Sequence, residues 1–68
     1  MLRKHSVLLL GHRTSISLEE EFWNALKKIA AKKGVGLAAL ITQIDASRTG
    51  ENLSSKIRVF VLEEISTF

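Results

Sequence analysis

The stretch Arg13-Thr14-Ser15-Ile16-Ser17-Leu18 decides how this chain is read. Thr14, Ile16 and Leu18 alternate with Arg13, Ser15 and Ser17, which is the period of a strand with one buried and one wet face. Amphipathic helical sequence follows at once, and the nearest candidate for a strand partner is the apolar run before Gly11. A short strand cannot satisfy its own edge. The alternation therefore predicts pairing with the same strand of a second copy, with Arg13, Ser15 and Ser17 of both copies on one exposed ribbon that forms the working surface.

On the N-terminal side, Ser6-Val7-Leu8-Leu9-Leu10 is an apolar run closed by Gly11. It reads as an arm over residues 1–11, either continuous with the strand at 12–18 or folding back on it. On the C-terminal side, Ser17-Leu18-Glu19-Glu20 has the spacing of a capping box, so a helix is expected over 18–33. Phe22, Ala25, Leu26, Ile29 and Ala30 form its apolar stripe, with Trp23 at the edge. Gly34 ends it as a C-cap glycine after Lys32 and Lys33.

A second helix is expected over 37–48, carrying Leu37, Leu40, Ile41 and Ile44 on one side. Gly36 at its start is a weak cap, so the first amides, around Gly36, Leu37 and Ala38, are open either to an anion or to water. Asn52 suits the N-cap of a third helix over 53–66. Leu53, Ile57, Phe60 and Val61 share one side of it, and Val59 and Leu62 lie away from that side. The β-branched run Ile57 to Leu62 supports a strand instead. The Asn52 cap and the acidic ending Glu63-Glu64 favour the helix. With no repeat, linker or proline, residues 1–68 read as one domain.

Sixty-eight residues without a cysteine bury a core that is marginal unless a metal or a partner adds to it. Two histidines, His5 and His12, with no clustered carboxylate give no basis for a metal site, and no cofactor is implied. An apolar share of 46% in so short a chain points to association. Ile16, Leu18, Phe22, Trp23, Leu40, Ile41, Ile44 and Phe60 are the residues expected in a dimer or oligomer core.

The formal net charge of +3 and a pI near 9.7 favour polyanionic partners without demanding them. Arg3 and Lys4 precede the apolar run, and Lys27, Lys28, Lys32 and Lys33 crowd the end of the first helix. That lysine group suits the negative end of a helix dipole as well as it suits phosphate. No stretch approaches the roughly 18 to 20 apolar residues of a membrane span. The apolar run after Arg3 and Lys4 is too short for a secretory signal, so a cytoplasmic protein is expected.

Catalysis is not expected. The acids at Glu19 to Glu21 and Glu63 to Glu64 are explained by helix ends, the serines by caps and strand faces, and no phosphate-binding glycine motif is present. A binding module fits better, because two antiparallel strands make a ribbon of about the width that a DNA major groove admits. Arg13 could then give a bidentate pair to guanine, with Ser15 and Ser17 reading less discriminately. Ser17 cannot both cap a helix and read a base.

The order strand, helix, Gly34 turn, helix resembles the ribbon-helix-helix fold of the Arc, methionine and CopG-type bacterial repressors. Gly11-His12-Arg13-Thr14-Ser15, Leu18-Glu19, Phe22-Trp23, Ile44-Asp45 and Asn52-Leu53-Ser54-Ser55 resemble a stand-alone subgroup of that family. The resemblance implies a mainly α fold with a short β-ribbon, built as an intertwined homodimer, here with an additional C-terminal helix. By position it implies base contact from Arg13, Ser15 and Ser17. It also implies phosphate contact at Gly36, Leu37 and Ala38, to which Lys32, Lys33, Arg3 and Lys4 would add charge. The chain departs from the family in its short Ser15 and Ser17 side chains and in Gly36, where a hydroxyl or amide residue is usual.

Two functions are thereby set against each other. One is a sequence-specific transcriptional regulator, a repressor, that inserts its ribbon into the major groove of double-stranded DNA. The alternative is an oligomeric ligand- or protein-interaction module on the same scaffold, with tetramers or larger assemblies built through the third helix.

Overall fold

The computed structural model describes residues 2–66; Met1, the first residue of the expected N-terminal arm, lies outside them. Two strands, β1 (Leu2–Leu9) and β2 (His12–Glu19), are followed by three helices, α1 (Glu20–Lys33), α2 (Leu37–Ala46) and α3 (Leu53–Ser66). The strands form an antiparallel two-stranded sheet that runs from the pair Leu9 and His12 to the pair Leu2 and Glu19. Of the two alternatives for the arm, the chain thus takes the fold-back.

The hairpin closes through Leu10 and Gly11, with φ of 51° and 82°. Two successive residues at positive φ are what a two-residue loop needs to match the twist of its strands. Glycine adopts that backbone freely, whereas a leucine held there costs about 1 to 2 kcal/mol. A two-residue loop makes this pairing local, so closing it loses little chain freedom. β2 is therefore paired with β1 of its own chain, and its opposite edge carries no strand among the described residues.

The alternation read from the sequence holds. Thr14, Ile16 and Leu18 of β2 turn inward with His5, Val7 and Leu9 of β1, onto the three helices. Ile16, Leu18, Leu26, Leu40, Ile41, Ile57 and Val61 are fully buried, and no polar or charged residue is buried among them. Ile16, Leu18, Leu40, Ile41 and Ile44, expected at a subunit interface, are thus covered inside one chain. Phe22, Trp23 and Phe60 are half-buried against the same core. β1 and α3 supply that cover.

Helix boundaries show where local chemistry yields to pairing. α1 starts at Glu20 rather than Leu18, and its N-cap, Glu19, is extended with no side-chain cap bond. Pairing with β1 keeps residues 17 to 19 in the strand, so the capping box at Ser17 does not form. At the other end Gly34 sits at φ 72°; its N–H donates to Ala31 and the Val35 N–H to Ala30, 3.1 and 3.0 Å. This reverse turn satisfies the last carbonyls of α1. α2 ends at Ala46, two residues short of the expected bound, where Ser47 turns its hydroxyl onto the Ile44 carbonyl at 2.9 Å. α3 is a helix over the expected span, capped by the Asn52 side chain, which accepts from the Ser55 N–H at 2.8 Å.

Candidate nucleic-acid interface

The strand register sorts the polar residues of the hairpin onto one outward face. Lys4 lies opposite Ser17, Ser6 opposite Ser15 and Leu8 opposite Arg13, and all six are exposed. Directly opposed residues stand within about 5.5 Å of each other, so each pair forms one rung of a narrow ribbon. Small hydroxyls fill the middle of the ribbon. Cations stand at diagonal corners, Lys4 on β1 and Arg13 on β2. Because Ser17 caps no helix, its hydroxyl remains available on this face.

The ribbon is held from beneath at two points. The His5 ring lies flat on Trp23 of α1, with centroids 3.8 Å apart and planes within 7°. At the β2 to α1 junction, Arg58 of α3 donates from Nε to Glu19 Oε1 at 2.8 Å. The Arg58 bond, then the backbone N–H of Glu19 itself, hold the Glu19 carboxyl below its usual value. These contacts orient the scaffold and leave the outward face clear.

The remaining candidates fall elsewhere. Arg3 has the inward parity and pairs with Glu20 of α1 at 3.0 Å, so its charge is partly spent at the sheet end. Lys32 and Lys33 are exposed at the end of α1, and Lys33 reaches Glu64 of α3 at 3.4 Å. Gly36 is the N-cap of α2, extended and without a side-chain cap bond, next to half-buried Leu37 and exposed Ala38. Ser6 and Leu8 were missed as members of the outward face. Reading residues 6 to 10 as one apolar run concealed the alternation of Lys4, Ser6 and Leu8 against His5, Val7 and Leu9, which the sequence does contain.

Among the described residues no group of three His, Cys, Asp or Glu is placed to hold a metal ion. No helix among them is long and apolar enough to cross a membrane. No curated protein and no solved structure matches the chain. A family model described as a ribbon-helix-helix domain matches residues 2–65. Members of that family are generally DNA-binding transcription regulators, typically dimeric and without enzymatic activity. With a two-stranded ribbon leading into helices and a match over nearly its whole length, this chain belongs to the ribbon-helix-helix family.

Proposed function

We propose that the protein is a sequence-specific DNA-binding regulator, a repressor, acting in the cytoplasm as a homodimer. The observation that carries this reading is the outward face of the hairpin, where Lys4, Ser6, Arg13, Ser15 and Ser17 are gathered within one chain. A major groove about 12 Å wide admits a two-stranded ribbon, and base edges there are read by side chains standing up from it. Arg13 is the group suited to bidentate contact with guanine. Ser15 and Ser17 accept or donate to any base edge within reach, and so discriminate less. Lys4, although expected at phosphate, shares the base-reading face, and Arg3 beside it faces the flank. The uncapped amides of Leu37 and Ala38, with Lys32 and Lys33 one turn away in sequence, would hold the phosphate backbone.

Titration of duplex DNA at several salt concentrations tests the reading. The logarithm of the binding constant should fall with the logarithm of salt at a slope of about −0.9 per phosphate contact. Arg13→Ala should lower specific affinity by about 1 to 3 kcal/mol and relax the preference at one base pair. Unaltered sequence preference in that variant would remove Arg13 from the base-reading role.

A second reading, an interaction module that keeps the scaffold with little DNA binding, is favoured by one observation. Val59, Leu62 and Ile65 of α3 stand exposed. Light scattering with and without DNA separates the two. A larger closed assembly indifferent to DNA supports the second.

A further inference from the structure

One residue on the outward face of the ribbon differs in chemistry from its neighbours. Leu8 lies in β1 between Val7 and Leu9, which turn inward onto the core, and shares its own side of the sheet with Lys4 and Ser6. Its side chain is 60% exposed, so the core makes little use of it. Across the sheet its partner is Arg13. The outward rung nearest the turn thus sets an aliphatic group beside a guanidinium. A lone exposed leucine is ordinary on a protein surface. The register of this one gives it a neighbour whose chemistry suits base reading.

We propose that Leu8 reads the 5-methyl group of a thymine in the major groove, beside the base pair met by Arg13. The inference rests on the DNA-binding reading above and adds one base to what the ribbon recognises. Every base edge in that groove presents hydrogen-bonding atoms, and thymine alone adds a methyl carbon. A leucine pressed on guanine, adenine or cytosine shuts donors and acceptors away from water without giving them a partner. Against the thymine methyl, two apolar groups leave water together. The same side chain therefore attracts one base and opposes the other three. Directly opposed residues stand within about 5.5 Å, and successive base pairs are about 3.4 Å apart. Arg13 on a guanine thus leaves Leu8 within one or two base pairs of it. Lys4 and Arg13 draw a polyanion to this face, which makes duplex DNA, rather than an apolar partner, the occupant.

The test removes the methyl group from the DNA and leaves the protein unaltered. Duplexes selected by the whole chain from a pool of randomised sequence are remade with deoxyuridine in place of each thymidine in turn, a change that takes away the methyl and keeps base pairing. One position, within two base pairs of the guanine whose preference Arg13→Ala relaxes, should lose about fourfold in affinity, as burial of a single methyl predicts. Leu8→Ala should bind the two duplexes alike at that position and keep the preference for guanine. Its circular dichroism should match wild type, since residue 8 is exposed. Equal binding of thymidine and deoxyuridine duplexes by the wild-type chain at every position overturns the proposal. So does a methyl effect that survives Leu8→Ala. Both of these results come from protein bound to DNA and leave the ribbon reading standing, whereas a chain that selects no duplex from the pool overturns both.

Discussion

The outward face of the hairpin and the outward face of α1 and α3 are both open to solvent, and they differ in what they leave uncovered. The hairpin shows hydroxyls, two diagonal cations and one leucine, Leu8, over a tightly seated inner row, with Ile16 and Leu18 at or below 1% exposure. The helical face shows leucine and isoleucine, with one acid and one base at its rim. Hydroxyls and cations need no cover to be stable. An exposed apolar strip loses free energy at about 25 cal/mol per Å² left in water, so a partner that covers it contributes stability directly. One scaffold thus carries a mostly polar face and a more apolar one.

Removing the seat beneath the ribbon should have the largest effect. Ile16→Ala takes away a fully buried side chain shared by the sheet and the helices, and should cost about 2 to 5 kcal/mol in urea unfolding. Lys4→Ala is exposed and should leave stability within about 0.5 kcal/mol of wild type. Its expected effect is instead on DNA, lowering affinity and changing the salt slope by about 1 if Lys4 meets phosphate. A Lys4→Ala variant that changes the base preference and leaves the slope alone would place Lys4 at a base edge. Either result sharpens the division of labour on the ribbon.

How much of this was legible in the sequence differs between the same two regions. The inward and outward faces of β2, the Gly34 stop and the Asn52 cap could all be read locally, because each depends on residues within one or two turns. The partner of β2 could not. Leu10-Gly11 lacks the Asn-Gly or Asp-Gly signature of a two-residue hairpin turn, so the fold-back of β1 stood as one alternative of two. The capping box at Ser17 was plausible by spacing and was overridden by strand pairing that extends to Glu19. The contribution of Lys4, Ser6 and Leu8 to the outward face depended on that same pairing. For α3, the helix period and the β-branched composition conflicted, and the Asn52 cap pointed to the outcome the fold adopts.

The strained turn gives a smaller and more local prediction. Leu10 is 83% exposed at φ 51°, and its side chain packs on nothing that would repay the strain. Leu10→Asn should raise stability by about 1 kcal/mol, measured as a higher urea midpoint with unchanged slope. A decrease would show that Leu10 is itself covered in solution, and would move the hairpin tip into an interface.

The smallest expected effect is in acid. Because Arg58 lowers the Glu19 carboxyl relative to the unfolded chain, the stabilisation is complete above the usual value of 4.5 and fades as pH falls through the lower folded value. Arg58→Met should flatten that part of the stability profile, read by thermal melts across the acid range. The loss should be modest, since the pair is about one-third exposed. A profile unchanged by the variant would mean that the tie between α3 and the ribbon base adds nothing to stability.

Backbone amide and side-chain NMR shifts during titration with duplex DNA would locate the surface that meets nucleic acid. If it is the outward face of the hairpin, the largest changes fall on Lys4, Ser6, Arg13, Ser15 and Ser17, while Glu21, Ala25, Leu62 and Ile65 remain nearly still. Changes centred on the α1 and α3 face, with the hairpin unmoved at saturating DNA, would contradict it.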